Sequence, residues 1–188
     1  MRYLPEHKIT FIHNPKAAGT SISTWLDENF HTIRGRKHGH HLEVSEFFPD
    51  TKFTFGVVRN PWARMASWYK FAGHGSGSFR NWLETRISNG PSMGLTFRPQ
   101  IAWSQQWYTL TTPQADWFGD DTNMVLRFEN LEEDFEKIKK ILHCNADLAI
   151  LNTSESYDYR ELYDDELVEL VRDIFLKDVI KYGYEYEI

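Results

Sequence analysis

Two separate stretches of the sequence share one pattern: a short apolar run, a turn that carries a cation, and then apolar residues at helical spacing. In the first stretch the apolar run begins at Ile9, the cation is Lys16, and the periodic part follows Thr20. Apolar residues that recur every three or four positions predict an amphipathic helix. Here they are Ile22, Trp25, Leu26 and Phe30. The stretch therefore predicts a strand, a loop and a helix, in that order.

The turn of this first stretch has the chemistry of an anion site. A helix start carries unpaired N–H groups and a partial positive charge, which favour a phosphate or sulfate. Lys16 would add a full charge, and hydroxyl groups at the helix start can cap N–H groups. The predicted anion-binding residues are Lys16, Ala18, Gly19, Thr20 and Ser21. Taken alone, the turn has an alternative interpretation as a surface turn with a solvated lysine.

The same turn does not have the sequence of a Walker loop. Such a P-loop reads Gly-x-x-x-x-Gly-Lys-Ser/Thr, with the lysine directly before the hydroxyl residue. Here Lys16 comes four residues before Thr20, and the first glycine of the pattern is absent. The sequence therefore argues against a P-loop nucleotide site.

The second stretch begins with an apolar run at residues 53–58, which predicts another strand. Arg59 follows directly, then Asn60, a favourable N-cap, and Pro61, a favourable first helical residue. A helix that starts there places Asn60, Arg64 and Ser67 along one side. Two strand-to-helix turns that each carry a cation and a hydroxyl group can hold the two ends of a nucleotide with separated phosphates.

Together the two stretches resemble the nucleotide motifs of the sulfotransferases that use 3′-phosphoadenosine 5′-phosphosulfate (PAPS). Residues 13–21 are similar to the 5′-phosphosulfate loop of that family, usually written Pro-Lys-x-x-Gly-Thr-Ser, and residues 58–69 to its 3′-phosphate motif. Their order and separation resemble the carbohydrate (Golgi-type) branch and its bacterial relatives rather than the cytosolic steroid and phenol branch. Further likeness lies at residues 127–135, 152–154, 163–166, 178 and 182–184, so the resemblance spans nearly the whole chain.

The resemblance implies transfer of a sulfuryl group from PAPS to an acceptor hydroxyl, with 3′-phosphoadenosine 5′-phosphate as the product and without a metal. Lys16 would neutralise the oxygen that bridges phosphate and sulfate, while Arg59 and Ser67 would hold the 3′-phosphate. In relatives a loop closes over the nucleotide, which makes Ser154 and Arg160 further candidates for cofactor binding. The likeness favours a carbohydrate acceptor, while lipids, small alcohols and peptide tyrosine stay open.

Four of the eight histidines lie between the two motifs, in residues 31–41. Imidazole titrates near neutrality and can accept a proton from an attacking hydroxyl, so one of them is a candidate general base. Relatives often place a histidine in this interval; we expect His40 or His38 in the role, with His41 as third choice. A structural zinc site is not expected, because no cysteine lies nearby. The competing interpretation is a solvated, basic loop.

Composition and charge limit the remaining possibilities. A chain of 188 residues that is 41% hydrophobic fits a single domain with a real core. The net charge of -6 argues against general nucleic-acid binding, and the single Cys144 excludes an intrachain disulfide. Because no apolar run approaches the ~20 residues of a membrane helix and no export signal is found, we expect a cytoplasmic enzyme without a transmembrane segment.

The order of predicted elements indicates an α/β fold, with a central parallel sheet flanked by helices and with ligands at the carboxyl ends of the strands. Strands are predicted at residues 9–12, 53–58 and 124–128. Usual sheet sizes suggest about four or five strands, the others lying in residues 32–36 or 109–122. The resemblance implies the nucleotide-kinase-like (P-loop-like) sulfotransferase version of this fold.

Two more helices are predicted in the last third of the chain. Asn130 and Glu133 have the spacing of a capping box before an apolar stripe. A final helix is predicted from Asp164 onward, with Gly183 as its natural stop. Residues 88–108, a long loop followed by polar and aromatic residues, are expected to form the acceptor pocket or a lid.

Two other functions compete with sulfuryl transfer. The first is a nucleotide-dependent phosphotransferase of similar fold, against which the missing Walker loop counts. The second is a binding module that holds a phosphorylated nucleotide without turnover, which requires that the histidines play no part. Nucleotide binding without transfer would indicate the second.

Overall fold

The computed structural model describes residues 1–72, 77–88, 111–149, 151 and 158–187, which adopt an α/β fold. The strands in these ranges are β1 (Arg2–Leu4), β2 (Ile9–Ile12), β3 (Ile33–Arg34), β4 (Phe53–Val58) and β5 (Met124–Arg127). The α-helices are α1 (Gly19–Asn29), α2 (Val44–Phe47), α3 (Pro61–Ala72), α4 (Phe79–Ser88), α5 (Gln114–Phe118), α6 (Leu131–Ile141), α7 (Asp165–Ile174) and α8 (Leu176–Tyr182). Two compact units are formed, one by residues 1–59 and 118–155 and the other by residues 60–117 and 156–188.

The sheet belongs to the first unit and has five strands within the described ranges, in the order β3-β1-β2-β4-β5. The strands β2, β4 and β5 are parallel, with Phe11 beside Phe55 and Phe55 beside Met124. In contrast, β1 runs antiparallel to β2, and β3 antiparallel to β1. The prediction of a purely parallel sheet is therefore wrong at this edge. The cause is the tight turn between β1 and β2, which is too short for a parallel crossover and can only reverse the chain.

Three predicted strands are confirmed as β2, β4 and β5, and β3 lies inside the interval 32–36 where a further strand was expected. The second interval in which a strand was expected, residues 109–122, differs from the prediction. Its described residues, 111–122, contain the short helix α5 and no strand. β1 was not predicted, because three residues are too few to show a periodic signal.

The core of the first unit lies where α1 and α6 pack against the sheet. All four residues of β2 are buried, as are the last four of β4, which fits parallel strands covered on both faces. The predicted apolar stripes of the two helices are confirmed. Their buried members are Ile22, Trp25 and Leu26 on α1 and Leu131, Phe135 and Ile138 on α6.

The start of α6 is organised differently from the predicted capping box. Asn130 is the N-cap residue, but its side chain accepts no capping hydrogen bond. Instead the Asp134 carboxylate accepts the backbone N–H of Arg127 at 2.9 Å, and this bond ties the helix to the end of β5. A carboxylate in the first turn also complements the helix dipole, so α6 is stabilised without the predicted box.

The second unit is helical in its described residues, and its predicted helix ends are confirmed. The single final helix predicted from Asp164 to Gly183 is wrong, however, because Phe175 leaves the helical conformation and divides this stretch into α7 and α8. The Asn60 side chain accepts the N–H groups of Trp62 at 3.1 Å and Ala63 at 3.3 Å, which caps α3. Asp164 caps α7 by accepting the Leu167 N–H at 3.0 Å. Gly183 ends α8 with a φ of 63°, the left-handed conformation that glycine adopts without strain.

No helix within the described residues is both long enough and apolar enough to span a bilayer.

Candidate functional site

The candidate site is the loop between β2 and α1, at the carboxyl end of β2 in the first unit. Asn14, only 1% exposed, donates its side-chain N–H to the Val57 carbonyl at 2.9 Å, which fixes the loop to β4. Lys16 and Ala18 have φ values of 64° and 56°. Non-glycine residues rarely adopt this left-handed conformation, and it persists only where surrounding contacts impose it. The loop therefore holds a defined, strained shape at the place where the sequence predicts an anion.

The helix start next to this loop is packed so tightly that only glycine fits at its first position. A Cβ atom on Gly19 would lie 2.1 Å from the His13 imidazole, far inside any real contact distance. His13 is itself buried, and its Nδ1 lies 3.4 Å from the Ser23 hydroxyl. The absence of a side chain on Gly19 therefore lets the N-terminus of α1 approach the end of β2.

The hydroxyl groups of the first turn of α1 do not act as predicted. The N-cap residue is Ala18, which makes no side-chain cap hydrogen bond, so the predicted capping by Thr20 or Ser21 is wrong. Ser21 is buried and its hydroxyl accepts the backbone N–H of Leu151 at 2.9 Å. Thr20 is exposed. Ala18, in its left-handed conformation, is the N-cap, so α1 begins at Gly19. Thr20 and Ser21 therefore lie inside the first turn rather than at the cap position.

Arg59 brings a second cation to the loop. Its Nη1 donates to the Lys16 carbonyl at 3.3 Å, and its guanidinium carbon lies 4.2 Å from the centre of the Phe128 ring. Burial, together with the positive charge of Arg59, lowers the pKa of the Lys16 ammonium. The positive charges of Lys16 and Arg59 repel each other and create a positive local potential. A bound anion would offset this repulsion. The geometry therefore suits a phosphate or sulfate despite the acidic chain.

Of the candidate histidines, His38 is the one that contacts the loop's His13. The two rings meet edge to face, with their centres 4.8 Å apart. Burial lowers the pKa of His38 to about 4, and burial with the nearby charge of His41 lowers the pKa of His40 to about 4. Both imidazoles are therefore neutral at pH 7, as a base must be, but they bind a proton weakly.

His40 and His41 have other partners in the first unit. His40 is 2% exposed, and its backbone N–H donates to the buried Glu43 carboxylate at 3.2 Å. The same carboxylate pairs with Arg36 at 2.7 Å. His41 places its Nδ1 2.6 Å from an oxygen of Asp121. These contacts show that the histidine segment is partly packed rather than a wholly solvated basic loop.

The remaining predicted cofactor-binding residues belong to the second unit or are not described. Ser67 is half-buried on α3 and Arg160 is exposed, and both belong to the second unit. The Arg160 guanidinium pairs with the Asp158 carboxylate at 2.7 Å. Ser154 lies outside the described residues, as do residues 89–108 of the expected acceptor pocket or lid. Within the first unit, the structure thus brings together Lys16, Ala18, Gly19 and Arg59.

Sequence reasoning missed three residues that shape this site: His13, Asn14 and Phe128. His13 and Asn14 lie inside the motif that carries the resemblance, and their place directly after a buried strand was the available signal. Phe128 lies in the predicted strand 124–128 and in the likeness at residues 127–135, but its role could not be predicted, because that role comes from a contact with Arg59, which is distant in the sequence.

Burial of the histidines predicts a pH dependence of stability. Burial lowers the pKa of His13, His38 and His40 in the folded chain, so between about pH 6.5 and about pH 4 the unfolded chain binds more protons. The free energy of unfolding should therefore fall as the pH falls through this window, with a slope of about 1.4 kcal/mol per pH unit for each such proton. Urea unfolding between pH 7.5 and pH 4.5 measures the slope.

Substitution of single histidines isolates their part of this slope. His40→Gln should flatten it, because one buried imidazole no longer takes up a proton on unfolding. The matched control is His143→Gln at an exposed position. A control that flattens the slope as much as His40→Gln would contradict the prediction.

In the described ranges, no group of three or more His, Cys, Asp or Glu side chains is arranged to hold a metal ion. Comparison of the chain with protein-family models, with curated proteins and with solved structures finds no match.

Proposed function

We propose that this chain is a PAPS-dependent sulfotransferase that moves a sulfuryl group to an acceptor hydroxyl, with a carbohydrate as the favoured acceptor. One observation carries the proposal: Lys16, the start of α1 and Arg59 meet at a strained loop whose sequence resembles a 5′-phosphosulfate loop. Helix N-termini and lysine together favour phosphate and sulfate groups. The proposal includes the reading of residues 1–188 as one sulfotransferase domain.

The proposed reaction is an in-line displacement at sulfur. The bond between sulfur and the bridging phosphate oxygen breaks, a bond from the acceptor oxygen to sulfur forms, and the acceptor proton passes to a base. Negative charge grows on the departing phosphate, where the Lys16 ammonium and the N–H groups of residues 18–21 would stabilise it. Arg59 would bind the 3′-phosphate, with Ser67, Ser154 and Arg160 as the remaining candidates for nucleotide contacts.

The proposed base is His38, with His40 as the alternative. His38 is favoured because its ring contacts His13 next to the loop. Its lowered pKa of about 4 makes it a weak base. A loose transition state forms little bond to the incoming oxygen, so the acceptor hydroxyl loses its proton late and a weak base is sufficient.

A second candidate function is a module that binds the nucleotide without transferring a group. The burial of both ring nitrogens of His40 and of Nδ1 of His38 favours it, because a base must reach the acceptor hydroxyl. The two functions share the anion site and differ only in turnover. An assay with PAPS and a panel of hydroxyl acceptors separates them.

Calorimetric titration with 3′-phosphoadenosine 5′-phosphate, with AMP and ATP as controls, tests the donor site. We expect micromolar binding of the bisphosphate and much weaker binding of AMP, because AMP lacks the 3′-phosphate. No binding of the bisphosphate, or a preference for ATP, would overturn the sulfotransferase proposal and favour a kinase-like phosphotransferase. Binding without any turnover of PAPS would favour the module.

A further inference from the structure

The ends of three neighbouring strands meet at the Arg59 side chain. Arg59 directly follows β4, Lys16 lies in the loop after β2, and Phe128 directly follows β5. The guanidinium donates to the Lys16 carbonyl at 3.3 Å on one side and lies 4.2 Å from the centre of the Phe128 ring on the other. Two independent contacts therefore restrict where this cation can be.

The Phe128 ring is itself held in place by its surroundings, so it can restrict the Arg59 guanidinium that it contacts. The residue is half-buried and packs against the apolar core of the first unit. It opens the 3-10 helix Phe128–Asn130, which leads into α6. The Asp134 bond to the Arg127 N–H at 2.9 Å fixes the backbone directly before it. The ring is therefore a rigid surface, while an arginine side chain by itself is flexible.

A guanidinium whose position is fixed should bind an anion more tightly than a mobile one. It carries five N–H donors in one plane, and a phosphate is recognised by two parallel donors of that plane. When the ring and the carbonyl fix the plane, the directions of all its donors are fixed as well. Less side-chain freedom is then lost when the anion binds.

We propose that Phe128 is a positioning residue that holds Arg59 against the Lys16 loop and so sets the affinity of the site for the 3′-phosphate of the bound nucleotide. The inference rests on the proposed function for the identity of the ligand. The contact between ring and guanidinium does not depend on that identity, and it can be tested by itself.

A double-mutant cycle with titration calorimetry tests the proposal, with 3′-phosphoadenosine 5′-phosphate as the probe. Phe128→Leu should weaken binding by about twofold to thirtyfold, the range of an exposed to a desolvated cation–π contact. Phe128→Tyr, which keeps the ring, should stay near the wild type. In the Arg59→Ala background, Phe128→Leu should change the affinity by less than about twofold, because the cation that it positions is gone.

The matched control is Phe30→Leu. Phe30 also packs on the core while half-buried, and its ring contacts Trp25 and His7 rather than a guanidinium. The control should leave the affinity unchanged. If Phe128→Leu weakens binding equally with and without Arg59, or not at all, the positioning role is wrong.

Urea unfolding without ligand, measured on the wild type, Arg59→Ala, Phe128→Leu and the double variant, separates this inference from the proposed function. We expect Arg59 and Phe128 to be coupled. Each single substitution raises the unfolding equilibrium constant by some factor, and the double variant should raise it by about twofold to thirtyfold less than the product of those two factors. Wild-type protein that does not bind the bisphosphate would overturn the proposed function and the ligand that the inference takes from it, and the coupling of Arg59 and Phe128 in unfolding would then decide the positioning role. Additive effects on unfolding would overturn the inference alone.

Discussion

Replacing Lys16 by alanine is expected to lower sulfuryl transfer by about 10²- to 10³-fold, the loss typical when one donor to a developing negative charge is removed. The ammonium group would neutralise the phosphate oxygen as it departs from sulfur. The fold should persist, because half-exposed Lys16 holds the loop through its backbone carbonyl, which the substitution keeps. Initial rates with PAPS measure the effect, and urea unfolding checks that stability changes by no more than about 0.5 kcal/mol.

Lys8→Ala is a closely matched control for this experiment. Lys8 is an exposed lysine in the turn between β1 and β2, and its φ of 56° is close to the 64° of Lys16. Both variants thus remove one lysine from a left-handed position, and only Lys16 lies at the candidate site. Unchanged transfer in Lys16→Ala, or an equal loss in Lys8→Ala, would reject the assigned role.

Replacing Gly19 by alanine should destabilise the first unit and abolish anion binding. The new Cβ would lie 2.1 Å from the His13 ring, which is itself packed against His38 and cannot move aside freely. Overpacking of this kind costs about 1–3 kcal/mol, more than the ~1 kcal/mol that alanine gains over glycine in a helix. Urea unfolding and titration with 3′-phosphoadenosine 5′-phosphate measure the two effects.

A second substitution shows whether the cost comes from that contact. His13→Ala removes the ring that the new methyl group meets, so Gly19→Ala should cost less in this background than in the wild type. If the cost is the same in both backgrounds, the close approach of Gly19 and His13 does not explain it. A wild-type affinity in Gly19→Ala would contradict the assigned geometry of the helix start.

Local sequence predicted the parallel centre of the sheet but not its edge. The strands β2 and β4 are continuous apolar runs followed by helical periodicity, and such a signal is readable within about fifteen residues. β1 and β3 have three and two residues, and their strand conformation comes from pairing with neighbours. The helix caps show the same difference between local and distant causes. Asn60 could be predicted as a cap because it bonds to its own helix, whereas Ala18 begins α1 in a conformation that the preceding loop imposes.

The charged residues of the candidate site could be predicted from the sequence, but the residues that hold them in place could not. Lys16 and Arg59 could be identified because each follows a strand, and parallel strands bring their ends to one edge. Phe128 and His13 each lie at the end of a predicted strand, but their roles depend on contacts with Arg59 and His38, which are distant in the sequence, so no local pattern shows those roles. The choice between His38 and His40 also depends on such a contact, since only packing distinguishes two histidines that are two positions apart.

The bond from Arg59 to Lys16 joins residues that are 43 positions apart, and Phe128 lies still further along the chain. Each part of the site stands at the end of a different strand, so the parts meet only after the parallel pairs β2–β4 and β4–β5 have closed. Closing such long loops costs entropy before any contact repays it, which makes these pairings late events in folding. The proposed anion site can therefore form only after these three strands have paired, so we expect binding of 3′-phosphoadenosine 5′-phosphate during refolding to report when the pairs β2–β4 and β4–β5 are complete.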